Sequence, residues 1–537
     1  MAAAFGFEAD CPERLEAALV FVIRHNLSNG HVFIPTDKLV AATDQLVMSG
    51  EHALYEALEM LSDDGELVHE NIGNLDACYL RELRDAEALV AERLLSMARE
   101  DRLGGAFADD EELISSIEAY IDVKYAEAQR AAIRLAAHHR LMVLTGGPGT
   151  GKTTSVRGIL ALFDKHELET LICAPTGRAA KRMGELAGRD DAMTVHRALG
   201  ASIDENGDLI FDRDENNPLK SDAVIVDETS MMDLPLMCAL LRATPESCRL
   251  ILVGDANQLP SVGPGNVFAD IIKSGAVPVV ELSEVFRQAK ESAIIRAAHA
   301  VNLGEAPNLG DKSSDMFFMR RTSPTAIAET VSDLIAERLP KNMGIPPSQI
   351  QVLSPSRKGD AGTAALNARL QARLNPPSAK REREFGGVTF REGDRVMQIR
   401  NDYDIMYTTK SGHTGMGVYN GDLGTIEHID LSAETLTVDF DDKTVEYMFE
   451  QMVDLEPAYA ITVHKSQGSE YRAVILALPP GTPLLATRAV LYTAITRARE
   501  LLVIVGDDEV FHTMVGNNKR AKRYSGLRAR LRRESEE

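Results

Sequence analysis

The sequence predicts an α/β protein. A doubly wound parallel sheet carries a glycine-rich loop, a second α/β unit is interrupted by a small β-barrel, and a compact unit of three helices and a hairpin comes first. Three observations predict it. The stretch Leu144-Thr-Gly-Gly-Pro-Gly-Thr-Gly-Lys-Thr-Thr154 has the form G-x-x-x-x-G-K-[ST], from Gly146 through Gly151 and Lys152 to Thr153. From Lys152 to about Glu281, short apolar strands alternate with helical patterning. Residues 386–456 are β-patterned, with turn signals at Glu392-Gly-Asp394, Asn420-Gly-Asp422 and Asp441-Asp442.

Residues 12–80 read as helix, the short strand His31-Val-Phe-Ile34 stopped by Pro35, two further helices, and a strand pair. This order resembles a winged helix. Such units often bind duplex DNA, but residues 1–140 hold 12 Lys and Arg against 27 Asp and Glu, so a scaffold or protein-contact role is expected instead. Residues 81–124 read as a helical linker. The full chain of 537 residues has a net charge of −23, most of it ahead of the glycine-rich loop. The remainder can still line a groove with positive charge, so the global sign weakens a nucleic-acid partner without excluding one. The five cysteines form no C-x-x-C pair, which suits a reducing compartment. No apolar run reaches membrane length and no signal-peptide pattern opens the chain, so a soluble, cytoplasmic protein is expected.

The apolar run Leu141–Leu144 precedes the glycine-rich loop. Val156, Ile159, Leu160 and Phe163 follow at helical spacing, so the loop joins a buried strand to an amphipathic helix. That is the context of a phosphate cradle: glycines let backbone N–H groups close round phosphates at a helix N-terminus, Lys152 adds charge, and Thr153 offers a hydroxyl to Mg²⁺. The expected nucleotide-binding residues are Gly146, Gly147, Pro148, Gly149, Thr150, Gly151, Lys152, Thr153 and Thr154. Candidate strands at 170–174, 223–226, 250–253 and 279–282 complete the sheet, and Asn206-Gly207 between strand-like residues reads as a hairpin projecting from it within 201–219.

Open parallel sheets bind ligands at the C-terminal ends of their strands. Asp227 ends one such strand and is placed to hold Mg²⁺, Glu228 is then the candidate base for water, and Gln258 at the end of the next can touch the γ-phosphate or the attacking water. Arg287 and Arg497 lie on opposite sides of the β insertion. As arginine fingers each contributes roughly 10³-fold or more in rate. The basic run from Lys519 to Arg533 reads as a solvated helix end in preference to a phosphate-contacting tail.

Gly146–Thr154, Ala174-Pro-Thr-Gly-Arg-Ala-Ala180, Val226-Asp-Glu-Thr-Ser230, Gly254-Asp-Ala-Asn-Gln-Leu-Pro260, Val285-Phe-Arg-Gln288, Tyr459–Glu470 and Tyr492–Arg499 resemble, in order, the helicase motifs of superfamily 1, and most closely those of RecD-like DNA helicases. The resemblance implies two RecA-like P-loop NTPase domains with ATP and Mg²⁺ between them, translocation 5′ to 3′ on single-stranded DNA, and duplex separation by the hairpin near Asn206. It assigns Gln129 to adenine, Lys152 to phosphates, Thr153 and Asp227 to Mg²⁺, Glu228 to water, and Gln258, Arg287 and Arg497 to the γ-phosphate. It places Thr176, His196, Thr462 and His464 at the DNA strand or in its coupling to the nucleotide. The implied units are 1–80 winged-helix-like, 81–124 linker, 125–345 first domain, 346–385 with 457–537 second domain, and 386–456 barrel.

Long members of that family carry helix-hairpin-helix repeats ahead of the winged-helix-like unit, and the resemblance here is to a form without them. The segment Tyr407–Gly417 is longer than the family pattern, which leaves open a disordered or a DNA-facing loop. Single-stranded and tailed duplex DNA are the expected partners, with a protein partner possible at the acidic N-terminal unit. A monomer is expected, because one chain supplies both sides of the cleft. A DNA-repair or recombination role follows from the resemblance; an RNA helicase or a DNA-dependent ATPase of the same superfamily, and a nucleotide-gated binding or clamp protein, are the alternatives. A small-molecule phosphotransferase leaves Tyr459–Glu470 without purpose.

Overall fold

The computed structural model describes residues 11–98, 110–205, 207–285, 291–310, 315–378, 380–440, 443–481, 483–519 and 522–536. Helix Pro12–Leu27 opens on a proline, whose missing N–H costs nothing in a first turn, and buries Leu15, Leu19, Val22 and Ile23. Strand β1 (Phe33–Pro35), helices Thr36–Val47 and Glu51–Asp63, and the hairpin β2 (Leu67–Ile72) and β3 (Leu75–Leu80) follow, the strands pairing antiparallel in the order β1-β3-β2.

The stretch 81–124, expected as a helical linker, contains helix Arg81–Met97, which buries Val90, Ala91, Leu94 and Met97. Those residues share one apolar core with helix Leu234–Ala243 and the sheet of the first α/β domain. Its heptad-like apolar stripe is a packing face, which a tether would not need.

That first sheet is wholly parallel. Strands β4 (Leu141–Gly146), β5 (Thr170–Ala174), β6 (Met193–Thr194), β9 (Ala223–Val226), β10 (Arg249–Gly254) and β11 (Val279–Leu282) lie in the order β11-β4-β10-β9-β5-β6. Strands β4, β9 and β10 are buried along their whole length, which is why they read as unbroken apolar runs. Strands β7 (Ala201–Ile203) and β8 (Leu209–Phe211) form the expected projecting hairpin. Its connection runs over 204–208, longer than a two-residue turn, and Asn206 lies outside the described residues. Ile203, Leu209 and Ile210 stand 40%, 44% and 47% exposed on it.

The second sheet is also parallel: β12 (Met316–Arg320), β13 (Ile350–Ser354), β23 (Ala460–Thr462), β24 (Tyr471–Leu478) and β25 (Ala498–Gly506), in the order β12-β25-β24-β13-β23. Strand β12 therefore belongs to this sheet although it precedes the boundary expected at residue 345. Helix Ala293–Leu303 packs with it, sharing a core with Val490, Leu491 and Ile504. Nothing local distinguishes Met316–Arg320 from a strand of the first sheet; only its partner, β25, decides.

Between β13 and β23 the chain forms the hairpin β14 (Glu382–Phe385) and β15 (Val388–Arg391), then a curled antiparallel sheet. Its strands are β16 (Arg395–Gln398), β17 (Asp402–Thr409), β18 (Thr414–Val418), β19 (Leu423–Asp430), β20 (Thr435–Asp439), β21 (Lys443–Met448) and β22 (Leu455–Pro457). They lie in the order β18-β17-β21-β20-β19-β16-β22 around Val396, Ile426, Val438 and Tyr447. The segment Tyr407–Gly417 forms the end of the β17–β18 hairpin.

The basic C-terminal run is not a solvated end. After helix Asp508–Gly516 the chain leaves the second domain, and helix Leu527–Glu536 seats Leu527 and Leu531 in the core shared by the N-terminal unit and the first sheet. Arg530 pairs with Glu70 and with Glu87, and Glu87 is wholly buried. Arg523 donates to the carbonyls of Ser261 at 2.7 Å and Gly265 at 2.6 Å. Arg523 and Arg530 thus answer internal acceptors, which composition cannot reveal.

Candidate nucleotide and nucleic-acid site

Strand β4 ends at Gly146, and the loop to helix Lys152–Lys165 turns through Gly149 and Gly151, whose φ values of +73° and +84° lie in the left-handed region that glycine adopts without strain. Lys152 Nζ donates to the carbonyls of Gly146 and Gly147 at 2.6 and 3.1 Å. Thr150 Oγ1 donates to the Gly147 carbonyl at 2.8 Å. The loop borders a cleft of about 450 Å³ whose walls come from both sheets. Gly147, Pro148, Gly149, Gly151, Lys152, Thr153, Thr154, Asp227, Glu228 and Gln258 line it from the first domain, and Ser292, Ile295 and Arg497 from the second.

Ten of the expected nucleotide and catalytic positions thus meet at one cleft together with Arg497. Gly146 and Thr150 shape the loop from behind without lining it, and a Cβ on Gly146 would sit 2.7 Å from Thr150 Oγ1. Gln129 is buried as well. Its Oε1 accepts from Ala126 N at 3.0 Å and its Nε2 donates to the Gly151 carbonyl at 3.3 Å, so it braces the loop. Arg287 lies outside the described residues.

Asp227 ends β9. Burial first, and the neighbouring Glu228 second, raise its carboxyl above the usual range. Glu228 adopts φ +50°, a left-handed conformation that costs a residue with a side chain of order 1 kcal/mol or more, held here between β9 and the turn Thr229–Met231. Thr153 and Asp227 offer one hydroxyl and one carboxylate to the same space. That donor set fits Mg²⁺, which takes few protein oxygens in nucleotide sites and completes its shell with phosphate and water. Arg497 is 2% exposed and donates to the carbonyls of Thr493 and Ser469 at 3.2 and 3.1 Å, which aims it from the second domain.

Several residues that bond across the domain junction beside the cleft went unassigned from sequence. Tyr492 Oη donates to Asp255 Oδ2 at 2.6 Å across the two domains, Thr493 Oγ1 accepts from Leu259 N at 3.0 Å, and Gln467 Nε2 donates to the Leu259 carbonyl at 2.8 Å. His299 Nε2 lies 3.2 Å from the Pro148 carbonyl. The polar loop after β10 was a usable signal for Asp255; its partners come from a strand order that no local pattern encodes.

The four expected nucleic-acid residues sit along the junction of the two domains and the curled sheet. Thr176 caps helix Gly177–Ala187 and meets Gly468, where a Cβ would come within 2.6 Å of its hydroxyl. Thr462 ends β23 and accepts from Lys465 N at 3.3 Å. Burial pushes the His196 imidazole down to about 4, so the ring is neutral between Phe211 of the hairpin and Tyr403 of the curled sheet. His464 is also lowered, by burial and by the nearby Arg523. Neither histidine supplies a cation at neutral pH.

Two parallel α/β domains closing on one phosphate loop, with an acid pair on one side and an arginine on the other, define a P-loop nucleoside triphosphatase of the two-domain motor type. Comparison with known proteins narrows the class. Residues 129–264 match an AAA domain, 366–440 the SH3 domain of ATP-dependent RecD-like DNA helicases, and 457–505 a UvrD-like helicase C-terminal domain. The chain is 35% identical over 547 residues to the ATP-dependent RecD2 DNA helicase of Deinococcus radiodurans, covering 98% of this chain and 70% of that protein. It is 31% identical over 446 residues to the RecBCD enzyme subunit RecD of Mycobacterium tuberculosis, covering 75% and 73%. A solved Pif1 helicase from Bacteroides in complex with ADP-AlF3 and ssDNA is similar at 20% identity and a TM-score of 0.43, covering 73% of this chain and 94% of that one. The chain belongs to the RecD-like DNA helicase family. Among its described residues no helix is long and apolar enough to cross a membrane.

Proposed function

We propose that this chain is an ATP-hydrolysing DNA helicase that moves 5′ to 3′ along a single strand held across its two α/β domains, in DNA repair or recombination, as a cytoplasmic monomer. The observation that carries the reading is the cleft in which Lys152, Asp227, Glu228 and Gln258 of the first sheet face Arg497 of the second. A phosphoryl transfer that needs positive charge from both sides is coupled to domain closure, and closure is what a strand spanning the domains can feel.

The phosphate loop binds ATP through its backbone N–H groups and Lys152. Thr153 and Asp227 would hold Mg²⁺, which would supply charge neutralisation to the phosphates. Glu228 orients a water in line with the β–γ bridging oxygen and accepts its proton. Arg497 disperses the charge on the transferring group as the domains close. Thr176 and Thr462 contact the strand through hydroxyls, while His196 and His464 act through their ring faces and hydrogen bonds. The exposed apolar side chains of the β7–β8 hairpin meet the duplex fork. The polarity and the pathway rest on family membership.

The test uses duplexes tailed at the 5′ or the 3′ end, in DNA and RNA versions, with Lys152→Ala as control. Unwinding of 5′-tailed DNA that Lys152→Ala abolishes is expected. Unwinding from 3′ tails alone overturns the polarity, equal action on RNA overturns the substrate, and undiminished unwinding by Lys152→Ala overturns the ATP mechanism.

A further inference from the structure

Gln258 follows β10 and faces the cleft, yet what orients its amide comes from the other domain. Its Nε2 lies 3.5 Å from Asp255 Oδ2, and its Oε1 is buried with no hydrogen-bond partner. A carboxylate only accepts, so the amide must turn its NH₂ towards Asp255 and its carbonyl oxygen away. The same Oδ2 receives the Tyr492 hydroxyl at 2.6 Å, while Asn257 N donates to Oδ1 at 2.9 Å. Asp255 is 1% and Tyr492 2% exposed, so water does not compete for these bonds. Burial and the adjacent Asp255 hold the Tyr492 phenol well above its ordinary range, so it remains a donor.

Tyr492 stands on helix Arg488–Ile495 of the second domain, and the next residue along the Asp255–Gln258 loop is gripped from that domain too. Leu259 N donates to Thr493 Oγ1, and its carbonyl accepts from Gln467. Gln467 lies three residues beyond His464 and five beyond Thr462, the residues expected at the nucleic acid. The loop that presents Gln258 is therefore held by the segments that would feel a bound strand.

We propose that Tyr492 and Asp255 are positioning residues that set the Gln258 amide with its carbonyl oxygen towards the attacking water, and that they do so only when the second domain is seated on the first. With the second domain seated, the phenol lies on Asp255 and fixes the carboxylate, and the 3.5 Å contact to Gln258 shortens in the reacting complex. Opening releases the amide, so hydrolysis waits for a strand bound across both domains. Hydrogen bonds that serve catalysis are often long before the reacting complex forms. This rests on the helicase reading above and adds to it the group that reports strand binding to the hydrolytic water.

Tyr492→Phe keeps the ring packing and removes only the hydroxyl, so it tests the relay in the full-length chain. Steady-state ATPase with and without an oligothymidylate, affinity for that oligomer by fluorescence anisotropy, and thermal melting are measured for the wild type, Tyr492→Phe, Gln258→Ala and the double variant. The expected result is a fall of about 10-fold in strand-stimulated kcat for Tyr492→Phe, with KM for ATP within about 2-fold and unchanged melting. The double variant is expected to be no slower than Gln258→Ala alone, because the two act through one group. Stimulation that Tyr492→Phe retains, losses that multiply in the double variant, or a kcat loss matched by lost melting temperature would overturn the relay. A wild type that the oligomer does not stimulate would overturn the helicase reading and the relay with it.

Discussion

Replacing Arg530 by Met should cost about 3 kcal/mol of stability, because it strands a carboxylate in the core. Glu87 has no exposure to solvent, and the Arg530 side chain is only 10% exposed. The guanidinium meets Glu87 at 3.3 Å through Nε and forks onto Glu70, with one limb at 2.9 Å. Breaking a buried ion pair by removing one partner typically costs about 3–5 kcal/mol. The lower end applies here, since Glu87 keeps the Tyr79 hydroxyl at 2.9 Å, the Ser525 hydroxyl at 3.0 Å and Gly526 N at 2.8 Å. Methionine fills most of the aliphatic volume, so the loss is electrostatic and not a cavity. Urea unfolding followed by far-ultraviolet circular dichroism would measure it, with limited proteolysis after residue 516 reporting release of the tail. Adding Glu87→Gln should recover most of the loss by removing the stranded charge. A loss below about 1 kcal/mol, or no recovery in the double variant, would refute the assignment of Arg530 as the anchor of the C-terminal segment.

Two further outcomes follow from the same geometry. Burial raises the Asp270 carboxyl to about 6, above its ordinary 3.8, so the folded state holds that proton more tightly than the unfolded chain. Its contribution is therefore fully favourable below about pH 4 and is lost as the pH rises through about 6, by up to roughly 3 kcal/mol, so Asp270→Asn should flatten that fall in denaturant titrations run from pH 4 to 8. Arg497→Lys replaces a planar fork, held by Thr493, Ser469 and Thr496, with a single point charge. Strand-stimulated kcat should drop about 10³-fold with single-strand affinity within about 2-fold, as read by coupled ATPase assay and anisotropy; a kcat within 10-fold of wild type would remove Arg497 from the transition state.

The parallel first sheet was readable because its strands are buried on both faces. Runs such as Leu141–Leu144, Ala223–Val226 and Leu250–Val253 carry no polar interruption, and the groups that end them, Gly146, Asp227 and Gln258, must then emerge together at one edge. The same reasoning reached Arg497 from its motif. It did not reach the placement of β12, the packing role of Arg81–Met97 or the tail, since each depends on a partner far along the chain. Gln129 shows a local limit as well: its identity was read, but its present bonds, to Ala126 N and the Gly151 carbonyl, come from the close approach of two helix starts.

The sequence by itself determined the chemistry of the loop. Glycines with positive φ at Gly149 and Gly151, a lysine and a hydroxyl at the start of a helix can cradle phosphate wherever the chain is placed, because the N–H groups involved are within a few residues of one another. Only the tertiary structure decided what faces that loop. Tyr492 reaches Asp255 across 237 residues of chain and Arg523 reaches the Gly265 carbonyl across 258. Those bonds form because two separately folded sheets and a returning tail bury their polar ends against each other, where a donor without an acceptor would cost more than the order the contact imposes.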